Sequence, residues 1–397
     1  MQRSLGWKSI VSSSAVGIGS SPMTEESASY KAAGVDYDAL DEGKRMAMAR
    51  ALATSPLLAA RGGRVLDASR GEPAFVFELG DTTLAFVMEG LGTKSVVARQ
   101  LLERHGVNRF ADVAYDTVAA ILNDLCCVGA LPLVVNAYFA TGSSAWYAEP
   151  ERAAALLEGW QRACIDAGCA WGGGESPSLP GLVAAQDIEL AGAAVGALPA
   201  GRSAILGEEL RAGDEIVLVA SSGLHANGAS LARLLVERLP DGYMTMLPSG
   251  RALGDALLDP SLMYVPLVQA LLESDLGVSY LSHVTGHGLL KLMRPAKALS
   301  YRISRLPPVP EVLAFLVDRA GLDMHQAYST FNMGSGYAIY CSVGAGLDVA
   351  ELARKLGFQA FLAGSVEAGV RQVIVEPIGV HYVGEELDLS VGEHPPS

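Results

Sequence analysis

The chain has 397 residues, half of them hydrophobic and 18% charged, with 44 glycines and a formal net charge of −14. That composition excludes a disordered chain, and the acidic balance leaves no basic stripe to neutralise a nucleic-acid backbone. A length beyond roughly 250–300 residues predicts two hydrophobic cores.

The first 22 residues, MQRSLGWKSIVSSSAVGIGSSP, are Ser-rich and lack acidic side chains. They are expected to stand outside the fold as a transit peptide, a leftover tag or an upstream start before Met23. TLAFVM (83–88) is a short apolar run that predicts a strand, EGLGTK (89–94) a glycine turn, and the residues up to Arg104 a helix. A second helix is expected from Asp112 to about Cys127, followed by a buried strand, LPLVVNAYF, and a turn at Thr141 and Gly142. Another helix should span 149–167. WGGGESP (171–177) is too rich in Gly and Pro for regular structure and is expected to be a loop, and IELAGAAVGAL (188–198) reads as a strand.

Polar, turn-rich residues 199–213 mark a domain boundary, after which EIVLVA (215–220) opens a second series of strands, loops and helices reaching Leu356. The apolar stretch 117–140 is broken by Asn123, Asp124, Pro132 and Asn136, so no membrane-spanning helix and no membrane partner are expected. Cys126, Cys127, Cys164, Cys169 and Cys341 form no C-x-x-C pair. They predict reduced, buried thiols of a cytoplasmic protein without a metal or redox role.

Chemistry concentrates in a few places. Asp116, Asn123 and Asp124 project within about a quarter-turn of one another on the second helix, with Asp112 a turn earlier, while apolar residues cover its other faces. A helix buried on one side and lining a site on the other fits this pattern, and so does a helix whose polar groups cap and hydrogen-bond within a core. The glycines of EGLGTK permit close approach of a phosphate, with Thr93 and Lys94 opening the helix, but the Walker spacing is absent. Glu175 stands beside three glycines, where a carboxylate can hold a hard cation. SSGLHANG carries His225 and Asn227, HVTGHG carries His283, Thr285 and His287, and FNMGSG carries Asn332. The nucleophile elbow of a serine hydrolase, G-x-S-x-G, is missing. Several Gly-rich loops on both halves, each with one or two polar residues, suit a cleft for a phosphorylated ligand and a metal ion.

The ordered set AGVDYDA (33–39), EGLGTK, AYDTVAAILNDLCCVGALP (114–132), YFATG, GGGES, ELAGAAVG, SSGLHANG, HVTGHG and FNMGSG resembles the aminoimidazole ribonucleotide synthetase family, the phosphoribosylformylglycinamidine cyclo-ligases, from about Tyr30 to Glu376. The resemblance implies a two-domain α/β (α+β) PurM-like fold whose N-terminal sheet pairs with that of a second subunit in a homodimer. Its parts would be an extension at 1–29, an ATP- and metal-binding domain at 30–200, a mixed α/β domain at 201–376 and an extension at 377–397 able to add an edge hairpin. It also implies ATP and Mg²⁺ as cofactors and a small phosphorylated substrate, an amide activated by phosphorylation before ring closure. Gly90, Gly92, Thr93, Lys94, Asn123, Gly142 and Asn332 would meet the nucleotide, while Asp116, Asp124, Glu89 and Glu175 would meet the metal. His225, His283, Asn227 and Thr285 would line the substrate side, the histidines as candidates for moving protons.

The chain departs from the family at ligand loops. Glu89 replaces an Asp, His287 a second Gly, and SPSLPG (176–181) the family's T-A-E-M-P-G, while residues 68–73, ASRGEP, stand where a Gly-Gly-Phe-Gly stretch encloses the substrate. A paralogue activating another amide or carboxylate is therefore a second reading. A dimeric scaffold that binds nucleotide without turnover is a third.

Overall fold

The computed structural model describes residues 37–387, so the expectations for the first 29 residues, and most of the 33–39 motif, lie outside it. It is built on two sheets. The N-terminal half contains helix α1 (Tyr37–Leu52), α2 (Pro56–Ala59), strand β1 (Gly63–Val65), β2 (Phe75–Leu79), β3 (Thr82–Gly90), α3 (Lys94–His105), α4 (Phe110–Cys126), β4 (Leu131–Thr141), α5 (Pro150–Ala167), β5 (Ala170–Glu175) and β6 (Ile188–Ala197). Its strands lie in the order β1-β2-β3-β6-β4-β5, antiparallel except for β4 beside β5.

After the link at 198–214 come β7 (Glu215–Ala220), α6 (Ala229–Val236), α7 (Leu253–Leu257), α8 (Val265–Glu273), β8 (Val278–His283), β9 (Leu299–Ile303), α9 (Glu311–Ala320), α10 (Met324–Thr330), β10 (Ser335–Cys341), α11 (Gly346–Lys355), β11 (Ala360–Ala368), β12 (Gln372–Val375) and β13 (Val380–Val383). The second sheet runs β13-β12-β9-β11-β7-β10-β8, antiparallel but for β12 beside β9. The two-sheet α/β class expected from the sequence is the one found. Beyond Glu376 the chain supplies one edge strand, β13, and not a hairpin of its own: β13 pairs with β12, which precedes Glu376, from Gln372–Val383 to Val375–Val380. Among the described residues no helix is long and apolar enough to cross a membrane.

Residues 171–175 are a correction. They form the edge strand β5, not a loop. The glycines suit this edge because its neighbour comes close: a Cβ on Gly174 would collide with the Ala137 carbonyl oxygen. Only one side of such a strand must pair, so its low intrinsic preference is overridden by β4.

The central helix is α4. Residues 121–126 are buried without a break, as are Asp116 to Ala119, because the helix lies between the first sheet and the second domain. Glycine lets it lie close on the sheet: a Cβ at Gly192 would sit 2.8 Å from the Ile121 side chain. A helix buried on one side only was the first of the two patterns considered. Here α4 is buried on both, so its polar stripe faces protein and each polar group needs a partner. The opposite face of the first sheet carries Phe86, Met88, Leu133 and Tyr138 exposed to solvent, Met88 at 71%.

Candidate active site

The seam between the domains is stitched by α3 and α4. Asp116 forms an ion pair with Lys94 and accepts a hydrogen bond from the Ser261 backbone N–H at 2.6 Å, and both charged side chains are fully buried. Lys94 also donates to the carbonyls of His225 (2.8 Å) and Asp259 (3.4 Å). Burial pushes the Asp116 carboxyl up from its ordinary value against the opposing pull of Lys94 and Ser261. This differs from the expectation that Asp116 meets a metal and Lys94 a phosphate: the ammonium has three acceptors from its own chain, and the carboxylate is closed to solvent. Asn123, expected at the nucleotide, donates to the Leu262 carbonyl and accepts from the Tyr264 N–H, each at 2.8 Å. Asn332 likewise ties two loops together, donating to the Gly223 carbonyl at 2.9 Å and accepting from Ser221 Oγ and the Gly334 N–H. Arg109 adds a bridge that no motif announced, reaching Asp255 and the Leu258 carbonyl at 3.0 Å each.

Asp124, at the end of the same helix, is 8% exposed and its Oδ1 lies 2.6 Å from His283 Nδ1 at the end of β8. Burial raises this carboxyl, but the His283 hydrogen bond and charge, helped by Lys291 and Arg294, hold it below the usual carboxylate range. Rings of Tyr264 and Tyr337 flank His283 at 6.3 and 6.1 Å. Next along the chain, Thr285 accepts a hydrogen bond from Lys291 Nζ. Lys291 is buried in the 3₁₀ turn Gly288–Met293. Burial and the neighbouring Arg294 lower its pKa to about 8, against the attraction of Asp124 and Glu89. Glu89 shares the helix-facing side of β3 with Ala85 and Val87, which brings it toward this group.

His225 and His287 both have positive φ, 57° and 69°. The second value gives a physical reason for the glycine that the resembling family carries at this position. His225 accepts from the Ser222 N–H through Nε2 at 3.2 Å, and its pKa is driven well below the ordinary value, chiefly by burial and then by His283 and Lys94. Asn227 is half-buried in the same loop.

The glycine turn lies at the end of the first sheet. Gly92 has φ +70° with open space where a Cβ would stand, and Gly90 lies beside the Glu189 side chain. Thr93 reaches across the seam to Ser230 Oγ at 2.9 Å, and Gly142 packs against the Ala184 carbonyl at the end of β4. Glu175 is exposed and accepts from the Ser176 N–H. Strand register aligns these points, pairing Gly90 with Ala191, Thr141 with Ile188 and Tyr138 with Glu175. Thus the structure gathers Glu89, Asp124, His283 and Thr285 in one place. It lines up Gly90, Gly92, Gly142 and Glu175 in another. Among the described residues, no group of three or more His, Cys, Asp or Glu side chains is arranged to hold a metal ion.

Comparison with known proteins bears on what such a seam serves. The AIR synthase related protein N-terminal domain matches residues 71–198, and the C-terminal domain of the same family matches residues 211–376. The chain belongs to the AIR synthase related protein family. Within this family, the phosphoribosylformylglycinamidine cyclo-ligase of Methanothermobacter thermautotrophicus is 35% identical over 300 residues, 75% of this chain and 83% of the relative. The protein of the same name from Anaeromyxobacter sp. is 34% identical over 367 residues, 89% of this chain and 99% of its own. Solved structures of low identity share the fold. A chain of a HypE-HypF complex aligns with a TM-score of 0.56 at 16% identity, covering 79% of this chain and 93% of its own. AaThiL, solved with AMPPCP and TMP, aligns at 0.53 and 16% identity over 78% of this chain and 89% of its own. These two share the fold.

Proposed function

We propose that the chain is an ATP-dependent cyclo-ligase that converts formylglycinamidine ribonucleotide to aminoimidazole ribonucleotide, acting as a homodimer. Relatives of that name match it over as much as 89% of its length. The observation that carries the reading is the contact of Asp124 with His283 at 2.6 Å, which sets a carboxylate and an imidazole from different domains side by side in the seam. Asp124 occupies Nδ1 of His283, so Nε2 is the ring nitrogen left to meet a ligand, the position from which an imidazole exchanges a proton.

In this reaction the formyl amide oxygen attacks the γ-phosphorus and ADP leaves. The amidine nitrogen then attacks the activated carbon, its proton passes to a base, and phosphate departs as the imidazole closes. His283 is the residue we assign to that proton, with Asp124 fixing its tautomer. His225, driven strongly toward its neutral form, lines the same loop cluster with Asn227 and Thr285. The open left-handed turn at Gly92 and the N-terminus of α3, 12 residues long, suit the nucleotide's phosphates, which backbone amides can meet without the Lys94 ammonium. Mg²⁺ bound through phosphates needs only one or two protein carboxylates, so the lack of a full cage does not count against it. Glu89, half-buried, and Glu175, exposed, are the two that reach solvent. When bound, the ion neutralises charge on the phosphates.

Incubation with formylglycinamidine ribonucleotide and ATP, followed by detection of imidazole product, tests the proposal. Turnover of about 1 s⁻¹ or more is expected. Nucleotide binding without imidazole product would sink it. A paralogue acting on another activated amide is favoured by one observation: Glu72 and Glu89, from two of the segments that differ from the expected motifs, approach the same pair of cations, Arg294 and Lys291.

A further inference from the structure

Glu72, from the loop where the family keeps glycines, accepts a hydrogen bond from Tyr280 Oη at 2.7 Å across the seam, and Tyr280 is fully buried on β8. Arg294 lies close enough to attract both Glu72 and Asp124, and it repels Lys291. Two of its nitrogen atoms, Nε and Nη1, are buried and meet no acceptor among the described residues. Nor has Arg294 a carboxylate within ion-pair distance among them; Asp124 serves His283, and Glu72 accepts from Tyr280. Lys291, buried alongside, donates to Thr285.

Two like charges held together, one with buried donors unmet, are unfavourable unless an anion joins them: each unsatisfied donor costs on the order of 1–3 kcal/mol. The guanidinium fork suits an oxyanion that accepts two parallel N–H bonds, and an adjacent ammonium supplies a third donor. We propose that Lys291 and Arg294 form an anion subsite of the cleft that takes the phosphate monoester of the substrate, with the hydrogen-bonded pair of Glu72 and Tyr280 beside it. This rests on the cyclo-ligase reading and adds to it the residues that hold the substrate's anionic end. It also assigns a consequence to one loop change: Glu72, in the 68–73 loop, is the acid that faces Arg294.

Titration calorimetry on the full chain with ribose 5-phosphate, malonate and a non-hydrolysable ATP analogue separates the possibilities. Arg294→Gln and Lys291→Met should each weaken ribose 5-phosphate by about tenfold or more, the worth of a charge-assisted hydrogen bond, and leave the ATP analogue within about twofold. Arg294→Lys, which keeps the charge and loses the fork, should fall between. Unchanged ribose 5-phosphate affinity in both truncations overturns the subsite, as does an equal loss of both ligands, which marks a structural role. Binding of malonate alone, dependent on the same two side chains, overturns the phosphate assignment. The nucleotide is scored separately, so a wild type that binds ribose 5-phosphate but no ATP analogue speaks against the cyclo-ligase and not against the subsite.

Discussion

Replacing Asp116 by Asn tests whether this carboxylate is a structural pin or a metal ligand. The amide is nearly isosteric and can keep the bond from the Ser261 N–H, so the change removes one thing, the charge facing Lys94. What remains is an ammonium at 0% exposure held by two neutral carbonyls, from His225 and Asp259. Breaking a buried pair from one side costs about 3–5 kcal/mol, because the other charge stays behind uncompensated. For a chain of this size, at about 2.1 cal/mol/K of unfolding entropy per residue, that is roughly 4–6 °C in Tm. Thermal and denaturant unfolding of Asp116→Asn, Lys94→Met and the double variant Lys94→Met/Asp116→Leu would measure it. The double variant should recover much of the loss, since an apolar pair of similar volume has no charge to bury. A loss below about 1 kcal/mol in Asp116→Asn, together with abolished Mg²⁺-dependent nucleotide binding, would refute the pin and restore the metal role.

His225 gives a pH dependence of known sign. Its folded pKa is lowered, so the unfolded chain binds a proton that the folded chain refuses, and stability present above about pH 6.5 falls as pH drops below it, by up to about 1.4 kcal/mol per unit. Unfolding from pH 7.5 to 5.5 should show this slope reduced in His225→Asn; an identical slope would remove the assignment. Met88→Asp, on the exposed apolar face of the first sheet, should convert a dimer to monomers by light scattering, whereas a wild-type monomer at micromolar concentration would dispose of the homodimer. Gly92→Ala should cost about 1–2 kcal/mol although nothing lies within 4 Å of the new Cβ, because φ is +70°; unchanged stability would show that the turn relaxes freely.

Much of the fold was legible because burial imposes periodicity. The strand expected at 83–88 became β3, the helix expected from Asp112 became α4, and IELAGAAVGAL alternates buried and half-buried residues along β6. β5 was not legible, since its glycines lower propensity and only pairing with β4 makes it a strand. The site was legible in a more limited way. Asp116 and Asp124 were both expected at a metal, but sequence spacing does not distinguish a metal from an ammonium 22 residues before Asp116 or an imidazole on a distant strand. Glu72, Lys291 and Arg294 belong to no motif with a fixed spacing. The signal was indirect: ASRGEP is a departure from the family, and its partners, on β8 and the 3₁₀ turn after it, lie some 200 residues away.

The seam also constrains how the cleft works. Asp116, Asn123 and Asp124 are three successive anchors on one rigid helix, and they grip the 258–264 loop and β8 of the second domain. Hinge opening along α4 would expose the ion pair and unpair the Asn123 amide together, a cost of several kcal/mol that thermal motion does not often meet. The domains are therefore expected to act as one body, with His283 already oriented before ligand arrives. Access to the reacting groups then falls to the surface loops, residues 68–73, the glycine turn and the turn at His287. Glu72, Glu89 and His287 stand on these segments, so changes in ligand choice can accumulate there while the helix that positions the imidazole is left untouched.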